Sequence, residues 1–327
     1  MSSRLALWIL VFALVALLPF RSPAPLVFIP SEGWYYESYG ENGKWQRTRA
    51  KEQLQVAEDA FKSKDYTTTL HAAHRIMRVW PLSDYAPRAE YLVGRCLEAN
   101  HKSEAAFNAY QNIIEKYPKS GEYNEVLLRQ YEIANRFLGG EWFRLWNTVP
   151  LYPSMDETAK LYDKIVGNGP YSAVAPHAQL RIGAAREKQK NYPDAVKAYE
   201  LAADRYHDQP EVASDALYRA GVSWEKQADT AEYDQGAASK AIAAYTDFMT
   251  FYPDDKRVAD AQKAIVKLKG EQVRGSFSIA KFYESNHKWA GAVVYYNDVL
   301  QLDANSPLAA QARQRIDVLK PRLQTTP

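Results

Sequence analysis

The sequence has a single cysteine, Cys96, among its 327 residues. One thiol excludes an internal disulfide framework and any zinc site built on cysteine ligands. Glycine is also scarce, with 15 residues against 23 tyrosines, and this balance favours helices packed on helices over a loop-rich catalytic fold. The net charge is small, since 41 Lys and Arg residues face 39 Asp and Glu residues. A nucleic-acid partner, which calls for a clustered basic face, is therefore not predicted.

Signatures of catalysis are lacking as well. The sequence contains no glycine-rich phosphate loop, no serine nucleophile elbow and no HExxH motif. His71 and His74 have a spacing that suits a metal on a helix, but no third ligand lies near them in sequence. Cys96 falls inside a predicted helix, where a small buried residue is the ordinary interpretation. We therefore predict no catalytic residues, no metal site, no cofactor and no enzymatic activity.

An uninterrupted apolar run, Leu5–Phe20, follows Arg4 near the N-terminus. A basic start followed by an apolar stretch is typical of a secretory signal. The run is shorter than the roughly 20 residues that cross a bilayer comfortably. Residues 1–24 are therefore predicted to be a signal peptide or, alternatively, an anchor retained in the inner membrane. A bacterial lipoprotein signal would place a cysteine just after the run, and none stands there, so export without a lipid anchor is predicted.

Two segments lack a helical pattern. Residues 25–47 contain Pro25, Pro30 and Gly33 and are predicted to be a linker whose aromatic residues pack on the following domain. Residues 139–155 (GGEWFRLWNTVPLYPSM) interrupt a helical region and are too apolar for a free loop. Their aromatic residues would either pack on the protein itself or meet a partner or a membrane surface.

From residue 48 the chain repeats itself. Gly94, Ala106, Tyr110 and Pro118 stand at successive offsets of 12, 4 and 8 residues. These offsets are those of the tetratricopeptide (TPR) pattern, in which each repeat is a hairpin of two helices, A and B. A small residue of helix A meets a small residue of helix B where the helices cross closely, and the aromatic residue fills the space beside them. The proline then stops helix B, because it lacks an N–H and clashes with the preceding turn.

The same offsets recur along the chain. The further matches are Ala57, Thr69, Ala73 and Pro81; Gly183, Ala195, Tyr199 and Pro210; Gly221, Ala241, Tyr245 and Pro253; Ala280, Ala292 and Tyr296; and a pair around Tyr131/Ala134 and Tyr162/Ile165. The match at Gly221 needs additional residues in its A–B turn, and the match at Ala280 follows a long helix predicted from about Arg257 to Ser285. The sequence thus predicts an all-α fold, a TPR-type α-solenoid of about six helical hairpins plus a C-terminal helix, over residues 48–323.

A solenoid of this type binds partners in a groove lined by its A helices. With the small residues as register, one groove position carries Tyr91, Tyr131, Leu180, Tyr218 and Phe277. The predicted concave binding groove consists of Arg88, Tyr91, Arg95, Tyr131, Tyr218 and Lys226, and it suits an extended peptide held by side-chain pockets. The alternative, that these tyrosines only pack between adjacent helices, stays open.

The stretch from Ser214 to Leu308 resembles the family of the outer-membrane protein assembly factor BamD. The resemblance is carried by a TPR with an enlarged A–B turn, closure by Tyr252-Pro253, a very long following helix and the hairpin IAKFYESNHKWAGAVVYYNDVL (279–300). The segment 57–100 resembles the first two repeats of the family. This chain departs from the family in lacking the lipoprotein cysteine and in carrying one or two extra repeats around residues 122–210.

The resemblance implies a periplasmic scaffold of a Gram-negative-type bacterium, part of the machine that inserts β-barrels into the outer membrane. Such a scaffold would bind the periplasmic domains of the barrel insertase through its C-terminal repeats and unfolded outer-membrane proteins through its N-terminal repeats. On this chain the docking residues would be Arg274, Phe277, Lys281 and Trp289.

The alternative is a general periplasmic TPR adaptor for another envelope system, such as Tol–Pal or the cell-wall enzymes. Adaptors of that kind usually add a coiled-coil segment, and this sequence has no heptad run. The assembly scaffold is therefore the favoured prediction.

Overall fold

The computed structural model describes residues 26–29, 33–36, 45–145, 149–230 and 235–323. Within these ranges the helices are α1 (Ala50–Lys62), α2 (Tyr66–Val79), α3 (Ala86–Ala99), α4 (Ser103–Lys116), α5 (Tyr123–Leu138), α6 (Met155–Asn168), α7 (Ala175–Lys188), α8 (Tyr192–Arg205), α9 (Pro210–Thr230), α10 (Gln235–Phe251), α11 (Val258–Ser285), α12 (Trp289–Leu302) and α13 (Pro307–Leu323). The strands are β1 (Leu26–Ile29), β2 (Gly33–Tyr36), β3 (Phe143–Leu145) and β4 (Val149–Tyr152). The predicted signal or anchor, residues 1–24, lies outside the described residues, as do parts of the predicted linker.

The predicted fold class is confirmed. Helices α1 to α12 form six successive hairpins in the described residues, and α13 follows as a single C-terminal helix. The long helix α11 has 28 residues and ends at Ser285, as predicted. Neighbouring A helices also pack on one another, as α1 on α3, α7 on α9 and α11 on α13. Within each compact part of the chain a repeat thereby covers an apolar face of its neighbour, which is how a solenoid obtains its core.

The contacts divide the chain into two compact units, one ending at Val126 and one beginning at Leu127. The first unit contains α1 to α4, and an apolar cluster in its interior gathers alanines, Ile76 and Val93 around Trp80. The second contains most of α5 and all of α6 to α13, and its interior consists of local clusters, such as those around Phe248 and Tyr296. Alanine is frequent in every cluster, because small side chains let helices approach closely.

Three hairpins have a glycine of helix A against a tyrosine of helix B. The pairs are Gly94–Tyr110, Gly183–Tyr199 and Gly221–Tyr245. A Cβ atom added to each glycine would lie only 2.3, 2.4 and 2.7 Å, respectively, from a ring carbon of the tyrosine. These contacts confirm the predicted register of the repeats, including the enlarged turn between α9 and α10.

Four hairpins turn through a residue other than glycine in the left-handed region. The φ angles are 62° at Lys64, 55° at His101, 59° at Lys190 and 59° at His287. An L-residue in this conformation costs roughly 1–2 kcal/mol, because its Cβ crowds the following carbonyl oxygen. Each residue stands just after helix A, where the chain must reverse to begin helix B. The packing of the hairpin therefore outweighs a local strain at each of these turns.

A charged network ties α9 to the start of α11. The Arg257 guanidinium donates to Asp255 at 2.8 Å and to Asp215 of α9 at 2.7 Å. It also lies over Tyr218 of α9, with Cζ 4.8 Å from the ring centre. The hydrogen bond from Arg257 holds the pKa of Asp255 at about 2, below its ordinary value of 3.8. The Asp255 side chain is only 16% exposed, so solvent screens the pair weakly.

Two short β-hairpins depart from the sequence prediction. Strands β1 and β2 pair antiparallel within the predicted linker, and β3 and β4 pair antiparallel within residues 139–155. Their sequences are rich in aromatic and β-branched residues, which favour extended backbone. At the first residue of β3, Phe143 stacks on Phe137 of α5 with ring centres 4.1 Å apart, whereas Trp142, just before the strand, is half exposed. The insertion therefore packs on its own protein at Phe143.

Gly183→Ala is expected to destabilise the protein by about 1–3 kcal/mol, because the added methyl group would overlap the Tyr199 ring in a packed interior. Gly270→Ala is the matched control, since a Cβ there would meet only the Arg274 side chain at 3.6 Å. In this control the change is expected to stabilise α11 by about 0.5–1 kcal/mol. Urea unfolding followed by circular dichroism measures both effects. Equal unfolding midpoints for the two variants would contradict the close crossing.

Asp255→Asn is expected to lower the free energy of unfolding by about 1–2 kcal/mol at neutral pH and by less in acid. The carboxylate has a lowered pKa in the folded state, so its contribution is complete above pH 3.8 and is lost as the pH falls towards 2. Unfolding of the wild type and the variant, compared from about pH 7 down to about pH 2.5, should therefore converge at the acid end.

The control for this measurement is Asp317→Asn, an exposed carboxylate 3.9 Å from Lys320. Its effect is expected to stay below about 0.5 kcal/mol. A difference between wild type and Asp255→Asn that is constant across the pH range would rule out the ion pair as its cause.

Candidate functional site

The first three predicted groove residues lie together on α3. The Tyr91 ring is buried, and its hydroxyl donates to Glu125 at 2.8 Å and accepts from Arg95 at 3.1 Å. The Arg88 guanidinium lies 5.1 Å from the centre of the same ring and pairs with Glu58 at 3.1 Å. Tyr91 thus packs between helices, the alternative that the sequence left open, and the two arginines are the groups that reach the surface here.

Tyr131 and Lys226 lie on one surface of the second unit, along α5, α7 and α9. This surface, termed the middle groove, holds a cavity of about 550 Å³ and an adjoining one of about 100 Å³. Its residues include Tyr131, Leu180, Arg181, Glu187, Lys188, Arg219 and Lys226. The structure therefore brings together two of the predicted groove residues and also Leu180, a member of the predicted row.

Tyr218 lines neither cavity of the middle groove. Its ring packs against Tyr245 and Phe248, with ring centres 5.8 and 5.3 Å away, and the Arg257 guanidinium covers it. Burial, together with the charge of Asp260, raises the pKa of the Tyr218 hydroxyl. Tyr218 therefore acts as a packing residue, as Tyr91 does.

A second set of tyrosines connects the hairpins to charged residues, and sequence reasoning missed it. In four hairpins a tyrosine of helix B donates its hydroxyl hydrogen to a glutamate of helix A. The bonds are Tyr110–Glu98 at 2.9 Å, Tyr199–Glu187 at 2.6 Å, Tyr245–Glu225 at 2.9 Å and Tyr296–Glu284 at 2.7 Å. Each glutamate follows the small residue of its own helix by four positions, so the spacing was a usable signal in the sequence.

Three of these glutamates also pair with a cation from a following A helix or from α13. The pairs are Lys226–Glu187 at 3.0 Å, Lys267–Glu225 at 3.1 Å and Arg315–Glu284. Each of these carboxylates is thus held by a phenol within its repeat and by a cation beyond it. Burial, and then the bond to Glu187, raise the pKa of the Tyr199 hydroxyl, so it remains a donor at neutral pH.

Three of the four predicted docking residues line a single cavity. Phe277, Lys281 and Trp289 surround a space of about 560 Å³ between α11, α12 and α13, termed the C-terminal cleft. Its lining also includes Glu284, His287, Tyr296, Arg315 and Arg322. Arg274 lies outside the cleft, exposed and 4.0 Å from Glu271.

The C-terminal cleft combines aromatic walls with an unpaired cation. The Phe277 ring meets Tyr296 edge-on at 5.4 Å, and the Trp289 ring lies 5.0 Å from the Arg322 guanidinium. Lys281 is exposed, and no carboxylate of the described residues lies within ion-pair distance of it. An apolar group and a neighbouring anion would both find a partner in this cleft.

The described part of the chain also contains possible metal ligands and one thiol. No three His, Cys, Asp or Glu side chains there are grouped so as to hold a metal ion. Cys96 is buried, and burial raises the pKa of its thiol to about 11, so the thiol stays protonated. In the same ranges no helix is both long enough and apolar enough to cross a membrane.

Two family models match the sequence. The YfiO model, described as an outer membrane lipoprotein, matches residues 154–319, and a tetratricopeptide-repeat model matches residues 88–120. The first match covers more than half of the chain and includes the lining residues of the C-terminal cleft apart from Arg322, and the second falls on α3 and α4. A comparison with curated protein sequences gives no match.

Solved structures of other repeat proteins are similar to the chain at low identity. A tetratricopeptide repeat protein from Parabacteroides merdae is 10% identical, with a TM-score of 0.35, over 83% of this chain and 98% of its own. PilF of Pseudomonas aeruginosa is 10% identical, with a TM-score of 0.29, over 81% of this chain and 96% of its own. The TPR2AB domain of yeast Sti1, solved as a complex with pHSP90, is 14% identical, with a TM-score of 0.33, over 83% of this chain and 96% of its own. Because the YfiO model matches more than half of the chain, the chain belongs to the YfiO family of outer-membrane lipoproteins.

Proposed function

We propose that this protein is an envelope scaffold of the BamD type. It binds the periplasmic domains of the β-barrel insertase at its C-terminal cleft and unfolded outer-membrane proteins along its grooves. The observation that supports the proposal most directly is the meeting of Phe277, Lys281 and Trp289 in one cavity. These three residues lie within the part of the chain matched by the outer-membrane lipoprotein family, and membership of this family implies a location in the cell envelope.

The C-terminal cleft has the composition of a protein-binding centre. Binding energy at protein interfaces is concentrated in aromatic and arginine residues that sit in pockets shielded from water. Here Phe277 and Trp289 supply the aromatic surface, and Lys281 supplies a cation with no internal partner. A partner that presents an apolar side chain next to a carboxylate would fill the cleft and neutralise Lys281.

The middle groove offers both apolar and charged side chains, which suits an unfolded barrel precursor. Transmembrane β-strands alternate apolar and polar residues, and their unpaired edges aggregate when left exposed. The middle groove combines Tyr131 and Leu180 with the cations Arg181 and Arg219. An extended segment held there is kept apart from other strands until it is handed on.

The proposed mechanism needs no reacting group of its own. The middle groove and the C-terminal cleft are built on helices of the same compact unit. Two partners that bind one scaffold at two surfaces experience a high effective concentration of each other. The protein would thus act by bringing a precursor to the insertase.

Lys281→Glu is expected to reduce recovery of the insertase at least about tenfold, because the change places a carboxylate where the proposed partner presents one. The measurement is a pull-down of the tagged full-length protein from its native envelope in mild detergent, with quantitative mass spectrometry of the partners. Lys269→Glu is the matched control, since Lys269 lies on the same helix, is exposed and does not line the cleft.

The expected result is recovery of a barrel insertase by the wild type and by Lys269→Glu, and its loss from Lys281→Glu. Two outcomes would overturn the docking proposal. One is equal recovery by all three proteins, which would separate insertase binding from the cleft. The other is enrichment of Tol–Pal or cell-wall proteins with no insertase, which would favour a general envelope adaptor.

A further inference from the structure

We infer that the middle groove is a binding site for extended peptide segments that carry carboxylates. The inference rests on the proposed function in that it names the class of segment the groove would take. Its residues are separate from those of the C-terminal cleft, so the two ideas can fail independently. The charges of the groove that lack a charged partner within the protein determine what it can bind.

Cations outnumber anions on the lining of the larger cavity. Arg181, Lys188, Arg219 and Lys226 face this space, and Glu187 is the one carboxylate among its lining residues. The cavity has about 550 Å³, enough for several side chains of a peptide. An empty groove of this composition carries an excess of positive charge.

Internal partners neutralise only two of the four cations. Lys226 pairs with Glu187 at 3.0 Å, and Arg219 pairs with Asp215 at 2.8 Å. Lys188 donates to the backbone carbonyl of Leu138 at 2.5 Å, a partner without formal charge. Arg181 has no carboxylate within ion-pair distance in the ranges that the structure describes.

The carboxylate inside the groove bonds to other groups, and neither Arg181 nor Lys188 lies within ion-pair distance of it. One oxygen of Glu187 accepts the hydroxyl hydrogen of Tyr199 at 2.6 Å, and the other accepts from Lys226 at 3.0 Å. Neither Arg181 nor Lys188 is therefore neutralised from within the protein. An outside carboxylate would gain a charge-assisted bond at either position.

The two unneutralised cations have the spacing of an extended peptide. Arg181 and Lys188 are seven residues apart on α7, about two turns, which places their backbones about 10 Å apart along one face. An extended chain advances about 3.3 Å per residue, so a segment of three or four residues spans that distance. Two carboxylates on one short segment can thus reach both cations.

The adjoining cavity adds an apolar wall to the site. Its lining includes Tyr131 and Leu180, and it shares Arg181, Ala184 and Arg219 with the larger cavity. A free phosphate or a lipid headgroup would leave this wall unused. A peptide in which acidic and apolar residues alternate would use both surfaces, and this is the occupant we propose.

The test uses the full-length protein in detergent and fluorescein-labelled hexapeptides of alternating sequence. The probe alternates Glu with Val, and two comparison peptides carry Gln or Lys in place of Glu. Fluorescence anisotropy is expected to show binding of the Glu peptide, with an affinity at least about tenfold above that of either comparison peptide. The affinity should also fall as sodium chloride is added, because salt screens exposed charges.

Arg181→Glu is expected to weaken binding of the Glu peptide at least about tenfold, since it replaces the unpaired cation by a like charge. Lys164→Glu is the matched control. It makes the same change of charge at an exposed residue of α6 that lines neither cavity, and it should leave the affinity unchanged within about twofold.

Three outcomes would overturn the inference: equal binding of the Glu and Gln peptides, equal losses in Arg181→Glu and Lys164→Glu, or binding to phosphatidylglycerol vesicles without binding of any peptide. The insertase pull-down is run on the same preparations to separate this inference from the docking proposal. Loss of peptide binding in Arg181→Glu with insertase recovery intact would support the site. Peptide binding that depends on Arg181, in a protein that recovers no insertase, would keep the inference and reject the docking proposal.

Discussion

The close crossing between the two helices of a repeat is the constraint on which the rest of the structure depends. At three crossings a hydrogen atom stands where other residues would carry a side chain, and a tyrosine ring takes the space. The hydroxyl of that tyrosine then reaches a glutamate four residues further along helix A. In two of these repeats the same glutamate forms an ion pair with a lysine of a later helix. One steric requirement thus determines the packing inside a hairpin and the charges between hairpins.

The fold could be predicted from the sequence because the crossing needs particular residues at particular offsets. Gly94 and Tyr110 are such a pair, and the same offsets located the other repeats even where the A–B turn is enlarged. The β-hairpins could not be found in this way. They lie in segments without a repeat pattern, and a few apolar residues between prolines suit a strand and a packed loop equally well.

The candidate site could be predicted only in part, because the exposure of a tyrosine depends on what covers it. Tyr91 and Tyr218 stand at the expected groove positions, yet each is covered by an arginine, Arg88 or Arg257, that its own position does not reveal. Tyr131 has the same register and lines a cavity. Whether a basic side chain has a carboxylate partner is equally hard to predict, because it also depends on the fold. The sequence shows that Arg181 and Lys188 are basic, and only the fold shows that the carboxylate lining their cavity, Glu187, bonds to Tyr199 and Lys226 instead.

The last helix, α13, contributes both to the apolar core and to the C-terminal cleft. One face of α13 buries Ala309, Ala312 and Ile316 against the preceding hairpin and so closes the apolar end of the array. The same helix brings Arg315 and Arg322 to the C-terminal cleft. End repeats of a solenoid have a neighbour on one side only and are the first to fray. The cleft exists only while α13 is packed against the preceding hairpin. Any molecule that binds in the cleft therefore also stabilises that packing and opposes local unfolding of α13.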